Sequence, residues 1–134
     1  MFNLTQFDHV GLRVTDLATA QSFYEKLGFR ADPTEESPKS KARGLVNAAG
    51  LRIHLIYNGE LPRGAGNILM DAPFKWPGYT HTAFIIDDLD ALISWLEAED
   101  IEITEGPSVF GNGRRRVLFI RDPDRNVLEF NQIL

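Results

Sequence analysis

The sequence contains no cysteine, which removes disulfides, thiolate metal sites and cysteine nucleophiles together. That is compatible with a reducing cytoplasm, the compartment expected here. Histidine is scarce too, three residues in 134, so each one can be weighed singly. Basic residues are outnumbered, 14 Lys and Arg against 19 Asp and Glu, for a formal charge of −5. No broad cationic field therefore exists to hold nucleic acid or an anionic membrane surface. No run approaches the roughly 18–20 apolar residues of a membrane span, and MFNLTQFDHV has neither a basic n-region nor an h-region. What remains is an ordinary globular composition, 43 % hydrophobic and 25 % charged, in a chain long enough to bury a core.

The two halves repeat each other. HVGLRVTDLATAQSFYEKLGF begins at His9, and HTAFIIDDLDALISWLEAEDI begins 72 residues later at His81. In one ungapped register His9 falls on His81, Asp16 on Asp88, Leu17 on Leu89, Ser22 on Ser94 and Glu25 on Glu97, with Phe23 on Trp95. Two long repeats point to a duplicated module, not a solenoid.

Each module opens with alternation. Val10, Leu12 and Val14 share one strand face, and Phe7, His9, Gly11 and Arg13 share the other. Thr15–Asp16 and Asp87–Asp88 offer helix caps. Helical spacing follows, predicting helices over Leu17–Leu27 and Leu89–Asp100, the first stopped by Gly28. Strands are expected at Phe29–Ala31, Gly44–Asn47 and Leu51–Tyr57, then at Ile101–Ile103, Arg115–Ile120 and Val127–Ile133. The pattern is β-α-β-β-β, twice: an α+β fold with modules 5–57 and 79–134 joined by a linker at 58–78. The linker's Phe74, Trp76 and neighbouring Tyr79 are expected to pack on or cover something. Asp32–Arg43, carrying PTEESPKSK, reads as a mobile surface loop.

His9 lies opposite Val10 and Leu12, His54 alternates out of Leu51, Ile53 and Leu55, and Glu129 sits between Leu128 and Phe130. His81 begins the second module's opening strand. The repeat pairs His9 with His81, and His54 with Glu129 at a separation of 75 residues. All three histidines thus fall at symmetry-related positions away from the apolar faces. Imidazole and carboxylate donors suit Fe, Mn, Co, Ni or Zn without thiolate.

On FDHVGLRVTDLATAQSFYEKLGF, GYTHTAFIIDDLDALISWLEAEDI and RDPDRNVLEF, the chain resembles the vicinal oxygen chelate superfamily over nearly its whole length. That superfamily contains glyoxalase I, extradiol ring-cleaving dioxygenases, fosfomycin-resistance enzymes, methylmalonyl-CoA epimerase and bleomycin-binding proteins. The resemblance implies one domain over 1–134, built from two tandem βαβββ modules that form cupped mixed sheets related by a pseudo-twofold axis. It implies a divalent metal held by His9, His54, His81 and Glu129, a small-molecule substrate, and a homodimer with shared active sites. His9 and His54 of one chain would then face His81 and Glu129 of the other. Three departures stand out. His54 occupies a position where glyoxalase I proteins commonly carry glutamate. Phe119 stands where ring-cleaving dioxygenases have tyrosine, with no histidine in Pro107–Arg116. The usual Asp-Pro-Asp-Gly turn reads Asp122-Pro123-Asp124-Arg125.

Arg114, Arg115 and Arg116 follow Gly111-Asn112-Gly113, and alternation puts Arg114 and Arg116 on one side. A guanidinium facing a cupped sheet would pair with a carboxylate or phosphate, which makes Arg114, Arg116 and Arg13 substrate-binding candidates. The leading expectation is a metal-dependent lyase or isomerase in which Glu129, or a carboxylate near it, moves the proton. The alternatives are a non-haem iron dioxygenase using His9, His81 and Glu129, an enzyme adding to an antibiotic epoxide, and a metal-free small-molecule binding or resistance protein.

Overall fold

A computed structural model describes residues 1–60 and 66–134. Its chain contacts divide into two compact units, Met1–Leu61 and Pro62–Leu134. The first contains β1 (Val10–Arg13), α1 (Leu17–Lys26), β2 (Arg30–Ser37), β3 (Ala42–Val46) and β4 (Arg52–Ile56). The second contains β5 (Thr82–Ile85), α2 (Leu89–Ala98), β6 (Ile103–Phe110), β7 (Arg115–Arg121) and β8 (Val127–Ile133). Each forms a four-stranded mixed sheet, in orders β1-β4-β3-β2 and β5-β8-β7-β6. The β-α-β-β-β repeat is therefore present in both topology and sequence.

The helices begin where their caps require. Asp16 accepts from Thr19 N at 2.9 Å and Asp88 from Ala91 N at 2.9 Å, each satisfying an amide that the first turn leaves free. Gly28, at φ 97°, lies just beyond the first helix, where a left-handed residue is favoured. Ala20 and Tyr24 of α1 are fully buried, as are Val14, Leu45 and Leu55. In the second unit Leu89, Leu92 and Leu96 of α2 are buried, and so are Leu118, Ile120, Leu128 and Phe130 of its sheet. At ten residues each, these helices depend on packing of their buried faces more than on intrinsic propensity. Asp88→Ala is expected to lower stability by about 1 kcal/mol, read as a shifted urea midpoint at unchanged slope.

Two expectations are corrected. The Asp32–Arg43 segment is not a loop: β2 runs to Ser37, a tight turn follows, and β3 starts at Ala42. Proline and charge are tolerated because β2 is an edge strand, paired on one side only. Its pairing slips between Ala31↔Leu45 and Glu36↔Arg43, which absorbs Pro33. Likewise β6 is an eight-residue edge strand that continues past Ile103, with pairing shifts on either side of Glu105.

The linker aromatics are exposed, Tyr79 at 99 %. Phe74 and Trp76 meet ring to ring, centroids 4.6 Å apart, and polar side chains also hold this segment. Asn67 Oδ1 accepts from Leu69 N and Met70 N, its Nδ2 donates to Arg125 O, and Lys75 Nζ donates to Met70 O and Ala72 O. Arg125 takes φ 67° where glycine is usual, and Asp122 Oδ1 accepts from Asp124 N and Asn126 N to fix the turn.

Candidate metal centre

In the first unit His54 pairs with Gly11 of β1 and Gly44 of β3, so all three share one sheet face. Its neighbours Ile53 and Leu55 are buried on the other. His9 lies two residues before Gly11, and its ring stacks on that of His54, centroids 3.6 Å apart and planes 10° from parallel. In the second unit Glu129 pairs with Ala83 of β5 and Phe119 of β7, and His81 lies two residues before Ala83. The register thus gives His81 and Glu129 the same relation that His9 and His54 have.

The preceding residue engages Nδ1 of each opening histidine. Asp8 Oδ2 lies 2.6 Å from His9 Nδ1, and Thr80 Oγ1 lies 2.8 Å from His81 Nδ1. A carboxylate only accepts, so Asp8 keeps the proton on Nδ1 and leaves Nε2 of His9 as a lone-pair donor. That hydrogen bond also holds the Asp8 carboxyl below its usual range. His54 is held below the ordinary imidazole value chiefly by burial. The neutral, ligand-competent form is favoured. Its Nε2 is buried and unpartnered among the described residues. Donor atoms of Asp8, His9 and His54 lie within 4.8 Å of one another, a group able to hold a metal ion. In the second unit Asn131 Nδ2 donates to Glu129 Oε2 at 2.7 Å, and His81 meets Phe119 edge-on at 5.4 Å.

The arginines separate. Arg13 shares the His9 face and donates through Nε to Asn58 Oδ1 at 3.0 Å. Arg114 turns back on its own hairpin, Nε to Gly111 O. Arg116 points the wrong way for a Glu129-face substrate residue. It pairs with Gln132, whose Oε1 accepts from Leu89 N, and its own Nη1 donates to Asp90 Oδ1 of α2 at 2.7 Å. The reason is parity: Arg116 and Phe119 are three residues apart, hence on opposite faces. Asp8, Thr80 and Asn131 were not singled out from sequence, although the first two directly precede the candidate ligands His9 and His81. Nor was Arg121. Burial works against that residue's charge, and the hydrogen bonds it donates to Glu105 and Asp71 outweigh it, raising its pKa.

The family model of the Glyoxalase/Bleomycin resistance protein/Dioxygenase superfamily matches residues 6–130. The chain belongs to this superfamily. A lactoylglutathione lyase of Schizosaccharomyces pombe is 25 % identical over 92 % of the chain, which spans only 44 % of that enzyme. A virulence protein of Salmonella typhimurium is 29 % identical over 96 % of the chain and 85 % of its own length. The crystal structure of a glyoxalase/dioxygenase from Nostoc punctiforme, at 23 % identity, superposes with a TM-score of 0.77 over 98 % of this chain and 93 % of that one. Such similarity carries the fold. The superfamily includes enzymes such as the yeast lyase and is generally metal-dependent. No helix among the described residues is long and apolar enough to cross a membrane.

Proposed function

We propose that the protein is a divalent-metal-dependent enzyme of the glyoxalase type. It chelates two neighbouring oxygens of a small substrate and catalyses proton-transfer lyase or isomerase chemistry. The observation that carries this reading is the equivalence of His9–His54 and His81–Glu129 in strand register. The unpartnered Nε2 of His54 fits a metal donor, since a buried lone pair without a partner costs free energy that coordination recovers. His9, His54, His81 and Glu129 would hold the ion, one of Zn, Ni, Co, Mn or Fe. Bound there, it supplies positive charge to oxygens on which negative charge develops.

The chain's own residues do the rest. Asp8 fixes the tautomer and orientation of His9, as partners of ligating histidines generally do. Burial keeps His54 neutral. Asn131 donates to Oε2 of Glu129 and so orients the carboxylate that would move the proton. Both modules form one domain, and two copies pair so that one contributes His9 and His54 and the other His81 and Glu129. The dioxygenase reading is weaker because Phe119 offers no phenol.

Elemental analysis of protein purified without added metal tests the reading, followed by assays on α-oxoaldehyde–thiol adducts and on catechols. About one divalent ion per chain is expected, lost in His81→Ala with the circular dichroism spectrum retained. Light scattering should give twice the 15.1 kDa chain mass. Protein that takes up none of the five metals would instead be a metal-free binding protein.

A further inference from the structure

We infer that Glu35 is an additional ligand of the metal centre, binding beside His54. The inference rests on the metal-dependent reading above and adds to it a residue outside the four expected ligands.

The pairing slip in β2 creates the position. From Ala31↔Leu45 to Glu36↔Arg43 the chain advances five residues on β2 but only two on β3, so the intervening residues bow out of the ladder. Glu35 comes to lie over Gly44. A Cβ added to Gly44 would stand 2.4 Å from Glu35 Cβ, 3.1 Å from Glu35 O and 3.3 Å from His54 Nε2. Only the missing side chain lets Glu35 and the His54 ring approach over that point.

Glu35 Oε2 stops 3.9 Å from His54 Nε2. That is too long for a hydrogen bond, and Nε2 has no other partner among the described residues. Two metal–donor bonds of about 2.0–2.2 Å span such a gap when they are widely opened. The neighbouring Glu36 is accounted for: both its oxygens accept from Arg43, at 2.8 and 3.3 Å. The slip therefore divides two adjacent carboxylates, one tied to the sheet edge and one left beside an orphaned imidazole. Glu35 remains 42 % exposed, so an ion can reach it from solvent.

Cobalt(II) titration of the full chain, followed by visible absorption and calorimetry, tests the assignment. Glu35→Gln should weaken Co²⁺ binding roughly 100-fold or more, beyond what loss of a supporting residue costs, and should alter the d–d bands. Glu35→Asp should recover part of the affinity, and Glu36→Gln should bind within about threefold of wild type, as expected for a non-ligand. Wild-type affinity and spectrum in Glu35→Gln would overturn the inference while leaving the metal reading standing. So would an equal loss in Glu36→Gln, which would make the effect one of net charge. Failure of the wild-type chain to bind Co²⁺ or Zn²⁺ would remove both.

Discussion

Glu129→Gln is expected to lower turnover by about 10²–10⁴-fold, the range that a positioned general acid–base residue contributes. The substitution conserves shape, and the remaining amide oxygen can still accept from Asn131 Nδ2, so β8 keeps its register against β5 and β7. Stability should therefore move by no more than about 0.5 kcal/mol. Metal occupancy, measured on the same preparation, divides the two roles given to this carboxylate. Unchanged occupancy with lost turnover points to proton transfer, whereas joint loss points to ligation. Retention of turnover on the best substrate would sink the assignment of Glu129 to the chemistry.

The second large effect is structural. Arg121→Met should destabilise the protein by about 2 kcal/mol. Arg121 is 2 % exposed, and its guanidinium reaches Asp71 at 2.8 Å, Glu105 at 2.9 Å and 3.0 Å, and Thr104 at 2.6 Å. Removing one partner from a fully buried pair costs roughly 3–5 kcal/mol. Here Asp71 and Glu105 keep 30 % and 47 % exposure, so water recovers part of the loss. Arg121 also holds the carboxyls of Glu105 and Asp71 below their ordinary values. A depressed carboxyl pKa stabilises the folded state above the ordinary value, and that contribution is lost as pH falls through the depressed one. The stability gap between wild type and variant should accordingly be full near neutrality and shrink below about pH 4. Urea midpoints for both proteins that fall in parallel with pH would contradict this account.

How far the sequence could be read depended on how strongly each segment alternates. The helices were legible because Asp16 and Asp88 cap runs of helical spacing, and they begin at Leu17 and Leu89 as expected. β8 was legible over its full length, Val127–Ile133. The edge strands were not, since a strand with a single partner can carry Pro33, Glu35 and Glu36, residues that read as loop. The face of Arg116 was hidden for a different reason. Val117, Leu118, Phe119 and Ile120 are all apolar, so no alternation reveals which side meets α2. At the candidate site, alternation gave the faces of His9 and His54. It could not give the stacked rings, the Asp8 hydrogen bond or the approach of Glu35, which depend on strand register and on the slip in β2.

The slipped pairing in β2 and β6 has a consequence for what these sheets do when molecules crowd together. Each is eight residues long and lies at the margin of its sheet. A flat margin of that length would present a row of free amides and carbonyls to any extended chain that came near, the template from which fibrils grow. Pro33 and Pro107 each delete an amide from that row, and the irregular ladder bends the remaining groups out of line. The same distortion that brings Glu35 toward His54 thus also spoils the β2 margin as a seed for intermolecular strand addition.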